Sequence, residues 1–195
     1  MTDFDEVIHF RKPHYYQKQF IKSTFKRIII RAGRRSGKTI GAAIKAIKHF
    51  IHGGRVLYGA PTQEQVESFW WEVKLILSEF IDKNIVYKNE TLHIIEFSNT
   101  KQRIRAKTCW NADTLRGDYA DLLILDEYQL MNENAWELVG APMLLDNNGQ
   151  CLFIYTPPSL HSRSVSKAKD PRHASKLFKR VMESKDARWE AFSFT

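Results

Sequence analysis

The feature that most constrains the fold is the stretch Arg31–Thr39, which has the sequence RAGRRSGKT. It follows the β-branched run Ile28–Ile30, which predicts a buried strand. Apolar residues then recur with the spacing of one helix face, at Ile40, Ala43, Ile44, Ile47, Phe50 and Ile51. A strand, a glycine-containing loop that ends in Gly-Lys-Thr and a helix form the context that a phosphate-binding loop requires. In such a loop the backbone N–H groups and the positive helix N-terminus surround a polyphosphate. The stretch therefore predicts a nucleotide site.

Within this loop, two side chains are candidate phosphate and metal ligands. Lys38 can reach the β- and γ-phosphates of a nucleotide, and the hydroxyl of Thr39 can bind Mg²⁺. The position that usually opens the motif with glycine is Ala32. Because alanine tolerates positive φ poorly, we expect the first turn of the loop to differ from the commonest geometry. A basic surface turn between strand and helix is the alternative. The loop residues predicted to bind nucleotide are Gly33, Arg34, Arg35, Ser36, Gly37, Lys38 and Thr39.

A second stretch, Asp121–Glu127, carries two carboxylates at the end of an apolar run. Such a run predicts a fully buried strand, and ligands bind at the carboxyl ends of strands in α/β sheets. We expect Asp126 to hold the Mg²⁺ through water, and Glu127 to orient and deprotonate an attacking water. An ordinary turn with two acids is the alternative. The run Cys151–Tyr155 predicts a further buried strand, and Thr156 at its tip either senses the γ-phosphate through that water or caps the strand end.

The other segments predict helices and short strands. A helix at 14–21 contains Gln17, whose amide suits the edge of adenine; a solvated helix residue is the alternative. Further on, we expect a strand at 55–60, a helix that begins with a capping box and an antiparallel meander within 84–107. A helix from about Asn132 is expected to end at Gly140 and Pro142.

The C-terminal part and two aromatic-rich helix positions carry weaker signals. The Ser-rich, basic residues 159–172 predict a mobile loop, followed by a helix at 174–182 and a last strand at 189–194. In the helix after the second strand, we expect Trp71 and Leu75 to pack under a neighbouring loop.

Composition narrows the class of protein. A chain of 195 residues with 43% hydrophobic residues is long enough for one domain with a core. Thirty Lys and Arg against 22 Asp and Glu give a formal charge of +8, which favours a polyanionic partner such as nucleic acid. No apolar run approaches the length of a membrane span, so we expect no membrane association. Cys109 and Cys151 follow no metal-ligand spacing and are predicted to be buried free thiols.

An ordered set of short motifs resembles the ATPase domain of the large terminase subunit, the motor that packages double-stranded DNA into tailed-phage capsids. The motifs are AGRRSGKT at 32–39, APT at 60–62, LRG at 115–117, ADLLILDE at 120–127, PML at 142–144 and FIYTP at 153–157. The resemblance implies an α/β fold, the P-loop NTPase of the additional-strand, catalytic-glutamate type. Its mainly parallel central sheet is flanked by helices and joined by a small antiparallel meander. The strand Cys151–Tyr155 is the candidate for the additional strand between the phosphate-loop strand and the Asp-Glu strand.

The resemblance also implies roles for single residues. Glu127 matches the catalytic base, and Thr156 matches the motif that couples hydrolysis to movement. Arg34 matches an arginine inside the phosphate-binding loop, whereas Arg116 resembles an arginine that reaches the site of a neighbouring subunit. Gln17 resembles the glutamine that recognises adenine.

The implied activity is Mg-dependent ATP hydrolysis, with ATP and Mg²⁺ as cofactors and with Thr39 and Asp126 as metal partners. The implied partners are double-stranded DNA, further copies in a ring (a pentamer in the motor), the capsid portal and the small terminase subunit, in the host cell cytoplasm. We expect one domain over 1–195, with a core at about 13–158 and a lid-like segment at about 159–195. The nuclease domain of complete large subunits is expected to be absent, and with it nuclease activity. A helicase-like nucleic-acid translocase, a small-molecule or nucleotide kinase and a non-catalytic nucleotide-binding module are the alternatives.

Overall fold

The computed structural model describes residues 8–109, 115, 117–157 and 166–194. The helices are α1 (Tyr15–Lys22), α2 (Lys38–Ile51), α3 (Gln63–Ile76), α4 (Ser78–Asp82), α5 (Ala141–Leu145) and α6 (His173–Glu183). The strands are β1 (Arg27–Ala32), β2 (Arg55–Ala60), β3 (Tyr87–Asn89), β4 (Ile94–Glu96), β5 (Arg103–Thr108), β6 (Leu122–Leu125), β7 (Gln150–Tyr155) and β8 (Trp189–Phe194). A 3-10 turn, Tyr128–Leu130, follows β6, and a π-helix, Ala135–Gly140, runs directly into α5.

Within the described residues, eight strands form one sheet in the order β3-β4-β5-β2-β6-β7-β1-β8. All neighbours from β5 to β8 pair in parallel, whereas β3–β4 and β4–β5 pair antiparallel. The predicted α/β fold, with a mainly parallel sheet and a small antiparallel meander, is confirmed. β7 lies between β1 and β6, as expected for the additional strand. The last strand of the meander, β5, also pairs in parallel with β2, so the meander extends the central sheet.

Helices cover both faces of the sheet because its central strands are apolar on both sides. In β1, Ile28 and Ile30 face a core cluster shared with α1, α2 and α3. Ile29 points to the opposite face, where the π-helix, α5 and α6 contribute to a second cluster. The carboxyl ends of β1, β6 and β7 meet at one edge, because parallel strands run in the same direction. The fold therefore gathers the phosphate-loop, Asp-Glu and Thr-Pro segments at this edge.

The helix after the Asp-Glu strand differs from the sequence prediction, because Gly140 and Pro142 do not end it. A Cβ at Gly140 would lie 2.8 Å from Cδ2 of Leu123, so glycine here permits a close approach to β6. Pro142 lies in the first turn of α5.

The helix and the last strand predicted for the C-terminal residues are confirmed. They are α6 and the edge strand β8, which pairs with β1 from Trp189 to Phe194. The lid-like role of this segment stays a prediction. Half of the predicted mobile loop, residues 159–165, lies outside the described residues. Trp71 and Leu75 do not pack under a loop and are 62% and 43% exposed.

Three smaller expectations have clear outcomes. The capping box at the start of α3 is confirmed, with Thr62 as the N-cap and Gln65 as its partner. Cys109 and Cys151 are buried and free, as predicted. Among the helices that the structure describes, none combines the length and the apolar character needed to cross a membrane.

Candidate active site

The phosphate-binding loop joins β1 to α2 at the carboxyl edge of the sheet. Its left-handed residues are Arg35, with φ 60°, and Gly37, with φ 74°, which is the N-cap of α2. Ala32 is the buried last residue of β1 and is not among the residues with positive φ. Alanine is tolerated there because the loop requires its left-handed backbone only further on.

Lys38 lies across this loop and is buried. Its Nζ donates a hydrogen bond to the carbonyl of Gly33 at 2.9 Å, and Oγ of Ser36 donates to the same carbonyl at 2.8 Å. An ammonium has three donors, so Lys38 retains hydrogen-bonding capacity for an anion that enters the loop. Arg34 and Arg35 are exposed at the tip of the loop.

Helix α1 is hydrogen-bonded to the loop through Gln17, whose side chain is buried and only 4% exposed. Nε2 of Gln17 donates to the carbonyl of Gly37 at 2.7 Å, and its Oε1 accepts from the backbone N–H of His14 at 3.0 Å. The ring of His14 in turn lies 3.0 Å from the carbonyl of Ser36. The solvated alternative for Gln17 is therefore wrong. A groove of about 540 Å³ opens beside these contacts, with Tyr15 and Tyr16 in its wall.

Asp126 follows β6 directly and is buried. Its Oδ2 accepts a hydrogen bond from the hydroxyl of Tyr58 at 2.8 Å, and its Oδ1 accepts from the backbone N–H of Glu127 at 2.9 Å. Burial, followed by the nearby charge of Glu127, raises the pKa of Asp126 to about 6. The charge of Lys38 acts in the opposite direction. The structure thus brings the strand-end carboxylate within electrostatic range of the phosphate-loop lysine.

The donors at this edge fit Mg²⁺. Asp126 offers a carboxylate and Thr39, in the first turn of α2, offers a hydroxyl, and both are hard oxygen ligands of the kind Mg²⁺ prefers. An ionised, buried carboxylate is also a group that a cation stabilises. Among the described residues no three His, Cys, Asp or Glu side chains form a metal cage. Mg²⁺ usually needs no such cage, because phosphates and water complete its coordination.

Glu127 has a left-handed backbone, with φ 51°, at the start of the 3-10 turn. Left-handed backbone in a residue other than glycine is uncommon and clusters at functional sites. The carboxylate of Glu127 accepts a hydrogen bond from Oγ1 of Thr156 at 3.2 Å. The two strand ends predicted to carry the chemistry are therefore in direct contact. Gln129, which sequence reasoning missed, also contacts Glu127, with Nε2 at 2.6 Å from Oε2.

Tyr58 is another residue that sequence reasoning missed. It lies on β2 opposite Ile124 of β6, is fully buried, and stacks on Phe69 with ring centroids 3.8 Å apart. Burial, followed by the charge of Asp126, raises the pKa of its hydroxyl. The sequence could have indicated this role, because a tyrosine inside an apolar strand needs a hydrogen-bond partner for its hydroxyl.

Arg116 lies outside the described residues, but its neighbourhood is partly described. Leu115 is buried, and Gly117 has a left-handed φ of 79°. The carboxylate of Asp118 is buried and accepts hydrogen bonds from three cationic side chains of β5: Arg103 at 3.5 Å, Arg105 at 2.8 Å and Lys107 at 2.9 Å. The segment after position 116 is thus attached to the sheet by a charged cluster.

The sequence of this chain matches the model of a known protein family. The family model "Terminase large subunit, T4likevirus-type, N-terminal" matches residues 29–176. The large terminase subunit of Thermus phage G20c is 26% identical over an alignment of 168 residues, which covers 77% of this chain and 35% of that protein. The chain thus spans about a third of the length of this relative.

Solved structures share the fold. The large terminase ATPase domain of Thermus phage P74-26 matches with a TM-score of 0.76 at 22% identity, covering 99% of this chain and 84% of that one. The large terminase of the thermophilic bacteriophage D6E in complex with ADP matches with a TM-score of 0.62 at 14% identity, covering 92% and 44%. Because the family model matches more than half of the sequence, this chain belongs to the terminase large subunit family and corresponds to its N-terminal part.

Proposed function

We propose that this chain binds ATP with Mg²⁺ and hydrolyses it, and that hydrolysis powers the movement of double-stranded viral DNA into a procapsid. The observation that carries the proposal is the meeting of the phosphate-binding loop, Asp126 and Glu127 at one edge of the sheet, with Glu127 bonded to Thr156. The similar D6E terminase binds ADP, which supports a nucleotide as the ligand. A complete catalytic set of this kind favours hydrolysis over a purely binding role.

Each residue at this edge has a separate task. Lys38 would donate to oxygens of the β- and γ-phosphates. Thr39 and Asp126 would hold the Mg²⁺, which would neutralise charge on the transferred phosphoryl group. Glu127 accepts the proton of a water as the oxygen of that water bonds to the γ-phosphorus, while the bond from that phosphorus to the bridging oxygen breaks and ADP leaves with that oxygen. Thr156, bonded to Glu127, links this base to the end of β7.

The nucleobase has a natural place in the groove beside α1. Gln17 lies between this groove and the phosphate-binding loop, and Tyr15 and Tyr16 supply aromatic surface. In the described state both polar atoms of the Gln17 amide are engaged, with Gly37 and His14. We therefore assign Gln17 a dual role: it braces the loop and offers its remaining amide hydrogen to adenine.

Two arginines are assigned to stabilisation of transition-state charge. Arg34 acts within the same chain, from the exposed tip of the loop. Arg116 acts on the site of a neighbouring subunit in a ring, which is a pentamer in the motor. An arginine supplied by a neighbour typically contributes about 10³–10⁵ in rate. Among the described residues that follow, Asp118 accepts hydrogen bonds from Arg105 and Lys107 of β5.

The partners follow from family and charge. The formal charge of +8 suits the phosphates of double-stranded DNA, and binding of this kind weakens steeply with salt. The capsid portal and the small terminase subunit are the proposed protein partners, in the cytoplasm of the host cell. We expect no metal-dependent cleavage of DNA by this chain.

Two substitutions test the proposed function. Lys38→Ala should abolish ATP binding and hydrolysis, because it removes the phosphate ligand. Glu127→Gln should preserve ATP binding and lower hydrolysis by about 10²–10⁴, the usual contribution of a general base. Glu137→Gln is the matched control, since it makes the same change at an exposed carboxylate.

The readouts are ATP binding at equilibrium and phosphate release, each with and without duplex DNA. Hydrolysis at the unaltered rate by Glu127→Gln, or no hydrolysis by the unaltered chain even with DNA, would contradict the proposal. For Arg116, mixed assemblies of Arg116→Ala and Lys38→Ala should recover activity that neither variant has alone. Verified mixed rings without recovery would rule out the role in trans.

A further inference from the structure

We propose that Gln129 is a positioning residue for Glu127, and that its amide fixes the catalytic carboxylate while joining it to the end of β7. The inference rests on the proposed function, in which Glu127 is the base. It assigns a task to a residue that lies outside both the phosphate-binding loop and the Asp-Glu pair.

The first support is a closed set of three hydrogen bonds. Nε2 of Gln129 donates to Oε2 of Glu127 at 2.6 Å, and Oγ1 of Thr156 donates to Oε1 of Glu127 at 3.2 Å. Oε1 of Gln129 accepts from the backbone N–H of Thr156 at 3.3 Å, which closes the triangle. A neutral amide is suited to this position because it donates from one atom and accepts at the other. Gln129 thus holds the base and the strand end together.

The second support is that the three hydrogen bonds leave lone pairs of the Glu127 carboxylate free to accept from a water. An ionised carboxylate has about four lone-pair positions, and the two donors in the triangle use one on each oxygen. The remaining positions allow Glu127 to accept a hydrogen bond from a water. Without the donors, the terminal torsion of a glutamate side chain is broadly distributed. A base must lie within hydrogen-bond reach of the proton that it removes, so fixing this torsion favours catalysis.

The third support is the way in which Gln129 itself is held. It lies in the 3-10 turn, where the backbone N–H of Leu130 donates to the carbonyl of Glu127 at 2.9 Å. The segment that begins at Ser166 is hydrogen-bonded to the same turn. Oγ of Ser166 donates to the carbonyl of Gln129 at 3.4 Å, and the backbone N–H of Lys167 donates to the carbonyl of Leu130 at 3.0 Å. The turn therefore connects the base with two other parts of the chain.

The competing explanation is that Gln129 only fills space or satisfies local polar groups. Gln129→Met separates the two, because methionine has a similar length but offers neither an amide donor nor a strong acceptor. Gln129→Glu is the second variant: it keeps an acceptor for the N–H of Thr156 but places a second carboxylate against Glu127. The matched control is Gln63→Met, since Nε2 of Gln63 donates to a carboxylate, that of Glu67, at 2.7 Å on the exposed surface of α3.

The experiment measures kcat and KM for ATP hydrolysis by the full chain, together with ATP affinity and the urea midpoint of each variant. We expect Gln129→Met to lower kcat roughly ten- to a hundredfold, the factor that corresponds to a hydrogen bond to a charged group, without a change in KM or ATP affinity. Gln129→Glu should lower kcat at least as much. Gln63→Met should leave kcat unchanged. Glu127→Gln combined with Gln129→Met should fall no further than Glu127→Gln alone, because the two residues act as one unit.

The outcomes separate this inference from the proposed function. If Glu127→Gln is inactive but Gln129→Met hydrolyses ATP at the unaltered rate, Gln129 has no positioning role and the proposed function stands. A raised KM at constant kcat would also overturn the inference, because it would place Gln129 in nucleotide binding. If Gln129→Met does not fold, Gln129→Glu decides by the same criterion. If Glu127→Gln is fully active, the proposed function itself has failed.

Discussion

Gly41 on α2 is a position at which the single added methyl group of alanine should displace α1 and thereby weaken its contacts with the phosphate-binding loop. A Cβ at Gly41 would lie 2.3 Å from Cζ of Phe20 and 3.3 Å from Cγ of Gln17, both on α1. Phe20 is fully buried and its ring stacks on Phe194, with centroids 6.2 Å apart, so the ring is confined. Gly41→Ala therefore requires α1 to move away from α2.

The magnitude follows from two opposing effects. Overpacking a well-filled core typically costs about 1–3 kcal/mol, whereas replacing glycine by alanine inside a helix gains about 1 kcal/mol. A contact of 2.3 Å with a confined ring belongs at the upper end of that range, so we expect Gly41→Ala to lower the free energy of unfolding by about 1–2 kcal/mol. Moving α1 also strains the hydrogen bond from Gln17 to Gly37 and the contact of His14 with Ser36. ATP affinity should therefore fall together with stability.

Urea unfolding followed by circular dichroism gives the stability, and titration with a fluorescent ATP analogue gives the affinity. The control is a double-mutant cycle with Phe20→Leu, which removes the ring atoms that a Cβ at position 41 would meet. Gly41→Ala should cost less in the Phe20→Leu background than in the unaltered chain. Additive costs, or a Gly41→Ala variant as stable and as tight for ATP as the unaltered chain, would refute the packing argument.

Two further predictions concern buried carboxylates. Asp118→Asn leaves Arg103, Arg105 and Lys107 without their shared charge; because these cations are partly exposed, we expect a loss of about 2–3 kcal/mol in urea unfolding. The loss should shrink as salt screens the repulsion among the cations, and equal stabilities at low salt would contradict the cluster's role. Burial raises the pKa of Asp126 to about 6, above its ordinary value, so the folded state binds its proton more tightly than the unfolded state does. The stability that protonated Asp126 contributes to the nucleotide-free protein is therefore lost as pH rises from about 4 through 6. Asp126→Asn should remove this dependence of the free energy of unfolding on pH and should stabilise the protein at pH 8 by about 1–3 kcal/mol. An unchanged pH dependence in urea unfolding would contradict the prediction.

The sequence predicted the features that depend on local context. The order of strand, loop and helix around Lys38, the buried strand before Asp126 and the strand before Thr156 each occupy a short, continuous stretch. Their meeting at one edge follows from parallel pairing, and the additional strand was implied by the ordered motifs. The periodicity of a segment and the chemistry of its ends were sufficient for the three strands and their end residues, whereas the place of the additional strand rested on the resemblance.

The residues that sequence reasoning missed depend on register and packing between distant segments. Tyr58 reaches Asp126 because β2 lies beside β6 with Tyr58 opposite Ile124, and nothing in the strand itself fixes that register. Gln129 becomes a partner of Thr156 only once the turn after β6 folds back toward β7. The prediction that Gly140 ends a helix is wrong, because the sequence does not distinguish a glycine at a helix end from a glycine that permits a close approach to β6.

The left-handed backbone at Glu127 explains how two adjacent carboxylates serve one site. Successive residues of an extended strand point to opposite faces of the sheet. Asp126 shares a face with Tyr58, so continued extended backbone would direct Glu127 to the other face, away from the metal ligand. The turn at Glu127, with φ 51°, breaks that alternation, and the bond from its N–H to Oδ1 of Asp126 holds the turn in place. Left-handed backbone outside glycine costs on the order of 1–3 kcal/mol, and such strain persists only where the surroundings over-determine it. Here the surroundings are the hydrogen bonds from Thr156 and Gln129 to the Glu127 carboxylate, so the contacts that orient the base also stabilise the backbone that presents it.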